Sequence, residues 1–227
     1  MPISTIHVYL MKGTLASGVV SYVKLADIKD FPDMGGNPEL LETTTLSNEF
    51  QTFIPGVKSQ SGLEFTMNWD FAIYSTLLSL SADNYYEIRF GVNGEKGKFR
   101  VQGQSGAWVV GGGVNSVVDM KFIIVPSTHI SKVPKVGVLA VTSTAGGAGK
   151  TSISVTPSLG SGNSYVYKTA VSVALPMYDD ICNSGTGYTI WNGTSEITAV
   201  SGHEIVIVEK NSLSQARKTG KKTVVIG

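Results

Sequence analysis

Leu63-Glu64-Phe65-Thr66-Met67-Asn68-Trp69 alternates apolar and polar residues without a break, the period of a strand with one buried and one wet face. Directly behind it, with Asn68 or Asp70 as cap, Phe71, Tyr74, Leu77 and Leu78 recur at three- and four-residue spacing until Asp83-Asn84 ends the pattern. That spacing predicts a single helix whose apolar stripe packs on a sheet. The period of two returns in Tyr86, Ile88, Phe90 and Val92, then in Phe99 and Val101, with Asn93-Gly94 between them as a hairpin signal. It returns again in Val118, Met120, Phe122 and Ile124, and Ile6, Val8 and Leu10 open the chain in the same way. The first 130 residues therefore read as a β-structure with one flanking helix.

One segment breaks the rhythm. Asp30 to Gly62 holds three prolines and four glycines and sustains no period. Loops longer than about 15 residues are uncommon inside compact domains and are usually functional or disordered. This one carries Phe31, Met34, Leu40, Leu41, Leu46, Phe50, Phe53, Ile54 and Val57, which is too much apolar surface to leave in water. Burying four such side chains is worth about 6–12 kcal/mol at roughly 1.5–3 kcal/mol each. The loop must fold back on its own domain or cover a neighbouring subunit.

Around Ser131 to Gly137 the texture changes, and a linker is expected at 131–137. Beyond it, 138–227 reads as a small all-β domain, a sandwich or barrel of short strands. The expected strands lie near Val136 to Val141, Thr151 to Val155, Ser164 to Leu175, Tyr188 to Trp191, Glu204 to Glu209 and Thr223 to Ile226, separated by Gly, Ser and Asn turns.

Composition narrows the function. The 227 residues are 42% hydrophobic and only 15% charged, with a mean hydropathy of +0.12; this suits a packed β-protein whose surface is largely covered by copies of itself. Cys182 is the only cysteine, so neither an intramolecular disulfide nor a cysteine zinc cage can form. The opening MPISTIHVYLMKGTLASG lacks the pattern of an export signal, and no apolar run reaches the roughly 18 residues of a membrane helix; synthesis and folding in a cytoplasm, without membrane insertion, is the expectation. Residues 1–130 carry 9 Lys and Arg against 12 Asp and Glu, and residues 131–227 carry 9 against 5. The acidic first part argues against tight nucleic-acid binding, and the run Arg217, Lys218, Lys221, Lys222 reads as a solvated face.

Motifs for chemistry dissolve on inspection. Thr144-Ala-Gly-Gly-Ala-Gly-Lys150-Thr151 has the look of a phosphate loop, but Thr144 stands where the first glycine belongs, and Ser152-Ile-Ser-Val-Thr-Pro continues as strand instead of helix. Gly111-Gly112-Gly113 reads as a turn between strands. Asp179-Asp180 lacks further carboxylates at the spacing of a calcium loop. His7, His129 and His203 fall in separate segments with no nucleophile elbow beside them, and Asn192-Gly193-Thr194 reads as a turn. No catalytic residue, cofactor site or metal site is expected, and the chain reads as structural, not enzymatic.

Leu40 to Asp70, LLETTTLSNEFQTFIPGVKSQSGLEFTMNWD, resembles the signature of siphovirus tail tube (major tail) proteins: an acidic residue with a threonine run, a polar and aromatic segment, "IPG", then a strand and the single helix. After the helix, YYEIRFGVNGEKGKFRVQGQSGAWVVGGGVNSVVDMKFIIVPS resembles the family's two strands around a glycine turn, its Gly-rich bend and its last strand. The resemblance implies, for residues 1–130, a tail tube β-sandwich with one flanking helix and a long inter-subunit loop. It implies six copies in a ring whose inner strands join into a lumen, rings stacked into a virion tail assembled in the host bacterial cytoplasm, and DNA passing through without specific binding. Tape measure, tail tip and tail terminator proteins are the implied partners. The residues expected in the inter-subunit loop are Leu40, Leu41, Thr43, Thr44, Phe50, Phe53, Ile54, Pro55 and Gly56; lumen-facing carboxylates are sought among Glu64, Glu87 and Asp119. The C-terminal part, through GKTSISVTPSLGSGNSYVYK and YTIWNGTSEITA, resembles accessory β-domains of phage and Gram-positive surface proteins, which implies a knob on the outer surface in contact with the host. A competing reading is a cell-surface or secreted glycan-binding module that uses Tyr165, Tyr167, Tyr188 and Trp191; the missing export signal and the tail-like order of the first domain oppose it.

Overall fold

The computed structural model describes residues 7–58, 60–80 and 82–227. Ile6, read with Val8 and Leu10, lies outside them. The chain separates into two compact units, the first running to Val133 and the second Pro134–Gly227.

The first unit contains β1 (Val8–Ala16), β2 (Val19–Asp27), β3 (Pro38–Glu42), β4 (Phe53–Lys58), β5 (Leu63–Asn68), α1 (Phe71–Leu78), β6 (Asn84–Phe90), β7 (Gly97–Val109), β8 (Asp119–Pro126) and β9 (Ser131–Lys132). Seven of these strands form one sheet in the order β2-β1-β6-β7-β8-β5, with β9 also paired to β7. The two ends of that order meet, because Asp30, just past β2, bridges to Thr66 in β5, exchanging backbone hydrogen bonds with it. The layers expected of a sandwich are thus two parts of one curled sheet. Inward-facing residues of every long strand meet in a single core that includes Leu10, Phe65, Met67, Tyr86, Ile88, Met120, Phe122 and Ile124, each worth about 1.5–3 kcal/mol when fully buried if its size is that of Leu or Phe.

The helix forms where the spacing predicts, and Asp70 is its cap, its carboxylate accepting from the Ile73 N–H at 2.9 Å. Its buried stripe is rotated from the expected one. Leu77 is buried and Ile73 and Tyr74 pack on the core with Leu80, whereas Phe71 and Leu78 are 74% and 56% exposed. Asn93-Gly94 lies in a six-residue connection between β6 and β7, with both residues left-handed at φ 58° and 84°.

The second unit contains β10 (Gly137–Val138), β11 (Ala140–Ala145), β12 (Lys150–Thr156), β13 (Ser164–Ala170), β14 (Thr189–Trp191), β15 (Ile197–Thr198), β16 (Glu204–Lys210) and β17 (Ala216–Thr223). A five-stranded sheet, β10-β17-β16-β13-β14, faces a three-stranded one, β11-β12-β15, across a core of Leu139, Val141, Ile153, Tyr165, Trp191, Ile197, Ile205 and Ile207. The opposite face of the larger sheet is covered as well, by Val173, Cys182 and Tyr188 against Val166, Val206, Val208 and Ala216. Alternate residues of β16 therefore serve two cores.

Two expectations need correction here. The strand sought from Ser164 to Leu175 ends at Ala170, because the chain beyond it turns over to make that second cover. The run Arg217, Lys218, Lys221, Lys222, read as a solvated face, belongs to strand β17, where Lys221 and Lys222 are exposed and Arg217 and Lys218 are half-buried. Three of its cations have partners: Lys218 on Glu209 and Lys221 on Glu204, both at 2.8 Å, and Arg217 on Asp179. The last strand is accordingly 216–223, not 223–226.

Candidate assembly surface

The irregular segment after β2 divides at about Asn37. Phe31 and Met34 fold back onto the first unit's core, with Phe31 edge-on to Phe90 at 5.2 Å between ring centres. From Pro38 onward the chain forms a hairpin arm. Among the described residues β3 and β4 pair only with each other, and nearly every residue from Pro38 to Lys58 is exposed.

Local chemistry builds the arm without help from the core. Thr43 donates to the Thr52 carbonyl at 3.2 Å, the Thr52 N–H donates to the Thr44 hydroxyl at 3.0 Å, and the Asn48 side chain accepts from the Thr45 N–H at 2.7 Å. Gly56 lets the strands approach, since a Cβ there would meet the Leu41 side chain at 3.0 Å. The register pairs Leu41 with Ile54, Leu40 with Pro55 and Glu42 with Phe53. Cross-strand partners share a face, so Leu41 and Ile54 lie on one side of the ribbon, and Leu40, Pro55 and Phe53 on the other. Apolar residues on both sides explain why no period of two announced these strands. They also leave Leu40, Ile54 and Phe50 67%, 51% and 80% exposed, an arrangement a free two-stranded ribbon does not sustain alone.

The three carboxylates sought for a lumen share the face of the sheet opposite the core, as the register shows: Glu87 lies opposite Arg100, Glu64 opposite Ile123, and Asp119 and Lys121 follow on alternate positions of β8. All three are ion-paired. Glu64 meets Lys121 at 2.5 Å and Asp119 meets Lys29 at 2.8 Å. Glu87 is fully buried between the Nε atoms of Arg89 at 2.6 Å and Arg100 at 2.7 Å, with Arg100 stacked over Tyr22. At Glu87 this face presents the arginine pair, not a free carboxylate.

Comparison with known proteins gives one family likeness, within the first unit. The family model described as "Phage tail tube protein, TTP" matches residues 10–96, a span that takes in the arm and the helix. Residues 10–96 are similar to phage tail tube proteins, over less than half of the 227-residue chain. That family is structural, not enzymatic, and its members form homo-oligomeric tubes in the virion tail. No curated protein matches the sequence. Solved structures similar to this chain include domains 7, 8 and 9 of the S-layer protein SbsC, at 13% identity over 91% of this chain and TM-score 0.36, and a type six secretion system protein, at 11% identity over 94% of this chain and 98% of that one and TM-score 0.32. The chain spans 64% of the S-layer structure's length. At these scores neither likeness bears on the fold.

Outside the matched residues, the aromatics sought as an outer binding surface are core residues. Tyr165, Tyr188 and Trp191 are buried and Tyr167 packs partly against the same interior. Tyr165 and Trp191 face each other across neighbouring strands at 5.6 Å, and burial raises the Tyr165 and Tyr188 hydroxyls above their ordinary pKa. A glycan platform cannot be built from them, because their faces are already spent on the interior. The phosphate-loop lookalike is the tip of the β11–β12 hairpin, and its Gly147 N–H already donates to both carboxylate oxygens of Glu196 at 3.2 Å. Asp180 accepts from the Met177 N–H at 2.7 Å. Among the described residues no cluster of three or more metal-ligating side chains occurs, and no helix is long and apolar enough to cross a membrane. Sequence reading misses the exposed residues of α1, because the helical spacing assigns them to the core as a single stripe.

Proposed function

We propose that this chain self-assembles into rings, six copies to a ring by analogy with the tail tube family, that stack into a tube through which genomic DNA passes into the host. The observation that carries the reading is the hairpin arm, apolar on both faces and uncovered within its own unit. A second copy is the natural cover, and because arm and receiving surface differ, the contact is head-to-tail and closes into rings or runs on as filaments. The sheet face bearing Glu64, Glu87 and Asp119 also carries Arg89, Lys98, Arg100 and Lys121, so its charges balance to within one. A lumen lined by it offers DNA few unpaired cations, and tight binding through counterion release does not accumulate along the duplex. Assembly in the host cytoplasm, tape measure, tail tip and tail terminator proteins as further partners, and an outward position for residues 138–227 complete the proposal. Negative-stain electron microscopy of the purified protein over a concentration series tests it: hollow tubes or rings of uniform diameter are expected, and persistence of the monomer at every concentration and with tail extract added overturns it.

A further inference from the structure

We infer that the exposed face of α1 is the seat for the arm of a second copy, and that the Leu41–Ile54 side of the arm is what lies on it; the inference rests on the assembly proposed above. From Phe71 to Ala82 the chain carries no charge. One side of the helix holds the core contact through Leu77, and the other presents Phe71, Ala72, Ser75, Thr76 and Leu78 to solvent. A helix with apolar residues on both sides is ordinarily buried. The polar groups on the exposed side are spent internally. The Ser75 hydroxyl donates to the Phe71 carbonyl at 2.8 Å, the Thr76 hydroxyl to the Ala72 carbonyl at 2.9 Å, and the Ser79 hydroxyl to the Thr76 carbonyl at 2.6 Å. Covering this face strands no hydroxyl donor and no charge.

The arm supplies a match. Pro38 to Val57 contains Glu39, Glu42 and Glu49 and no cation, so most surfaces of the ribbon would carry a carboxylate into an apolar contact at a large desolvation cost. On the Leu41–Ile54 side the stretch toward the tip is uncharged, since the next pair is Thr43 with Thr52, whose hydroxyls bond each other at 3.0 Å; Glu39, two residues before Leu41, is on this side only at the base of the arm. Glu42 lies on the opposite side with Phe53. The distal half of one ribbon face, Leu41 and Ile54 with Thr43 and Thr52, and the exposed face of the helix are both uncharged and both left open by the same chain. Phe71, 74% exposed, is the largest side chain on the helix face; an aromatic of its size buries about 150–250 Å², one part of the roughly 800 Å² per partner that a stable interface hides.

Cysteine cross-linking tests the contact. Cys182, the native thiol, is fully buried, and burial raises its pKa to about 11, so background coupling is small. A chain carrying both A72C and I54C, assembled and then oxidised, is expected to give a ladder of covalent multimers, while each single variant gives none. Tubes that form normally but yield no ladder overturn the seat and leave the proposed function standing. An oxidised product of monomer mass with both new thiols lost places the arm on its own helix and overturns it too. If the parent chain never assembles, both readings fall together. As an independent arm, F71D is expected to stay folded, because Phe71 is outside the core, and to raise the concentration needed for assembly at least tenfold; unchanged assembly of F71D overturns the seat.

Discussion

Two carboxylates show how much a single residue does here. Glu87 accepts from two arginines with no solvent exposure, and removing one member of such a buried cluster leaves the others charged and unpaired, at about 3–5 kcal/mol. Glu87→Ala is therefore expected to lower the unfolding free energy of the first unit, measured in urea, by that amount, and a loss under about 1 kcal/mol shows the arginines to be relieved by water. Glu204 acts differently. Its carboxylate holds Lys221 at 2.8 Å and accepts from the Val173 N–H at 2.7 Å, and the Lys221 contact, with that N–H behind it, lowers its pKa below the ordinary 4.5. A depressed carboxylate contributes stability that is fully present above 4.5 and is lost as pH falls through the folded-state value. The melting temperature of E204Q should then lie below the parent's at pH 7 and converge on it in acid, and an offset that persists at pH 2–3 would assign the effect to packing instead. Core positions such as Phe65, Met67, Ile88 and Phe122 were legible from alternation alone, because their neighbours face water. The surroundings of Glu87 were not, because its partners come from its own strand and from β7, and period-two reading assigns all of them to an undifferentiated polar face.

At the scale of elements, legibility follows the same logic. β5, β6 and β8 have one wet side and were readable; α1 was readable as an element, but apolar residues on both its sides hid which stripe is buried. The arm has two apolar sides, so β3 and β4 passed as an irregular loop whose candidate residues were nevertheless found from their sheer apolar content. β17 was hidden for the opposite reason: ARKTGKKT reads as surface until Glu204, Glu209 and Asp179 are placed beside it. The tyrosines and tryptophan of the second unit were misplaced because aromatic residues on short strands look alike whether they face a ligand or the facing sheet. The arm also yields the sharpest prediction. Leu41 and Phe53 lie on opposite sides of the ribbon and are each 45% exposed, so Leu41→Asp with Phe53→Asp should cost well under 1 kcal/mol of monomer stability. Tubes should be absent from micrographs of this double variant while its circular dichroism and melting curve match the parent's. Loss of the fold as well would make the arm part of its own core.

For the whole molecule, the two units have separate cores, and the family match stops within the first. A chain ending at Val133 should still assemble, into tubes of smaller outer diameter and unchanged lumen. A narrowed wall with an altered lumen would place residues 134–227 inside, against the proposal. The second unit's central strand carries a further consequence. Val206 and Val208 are covered by the layer around Cys182 and Tyr188, while Ile205 and Ile207 belong to the interior between the sheets. The two linings need not part at the same moment. Lifting the outer layer bares only the valine side and leaves the backbone ladder of β13, β16 and β17 intact, so amide protons in the 171–188 cover should trade with deuterium early, and those of β16 only when the entire unit comes apart. A subunit built this way can loosen its skin under strain while one strand keeps the rest of the unit joined.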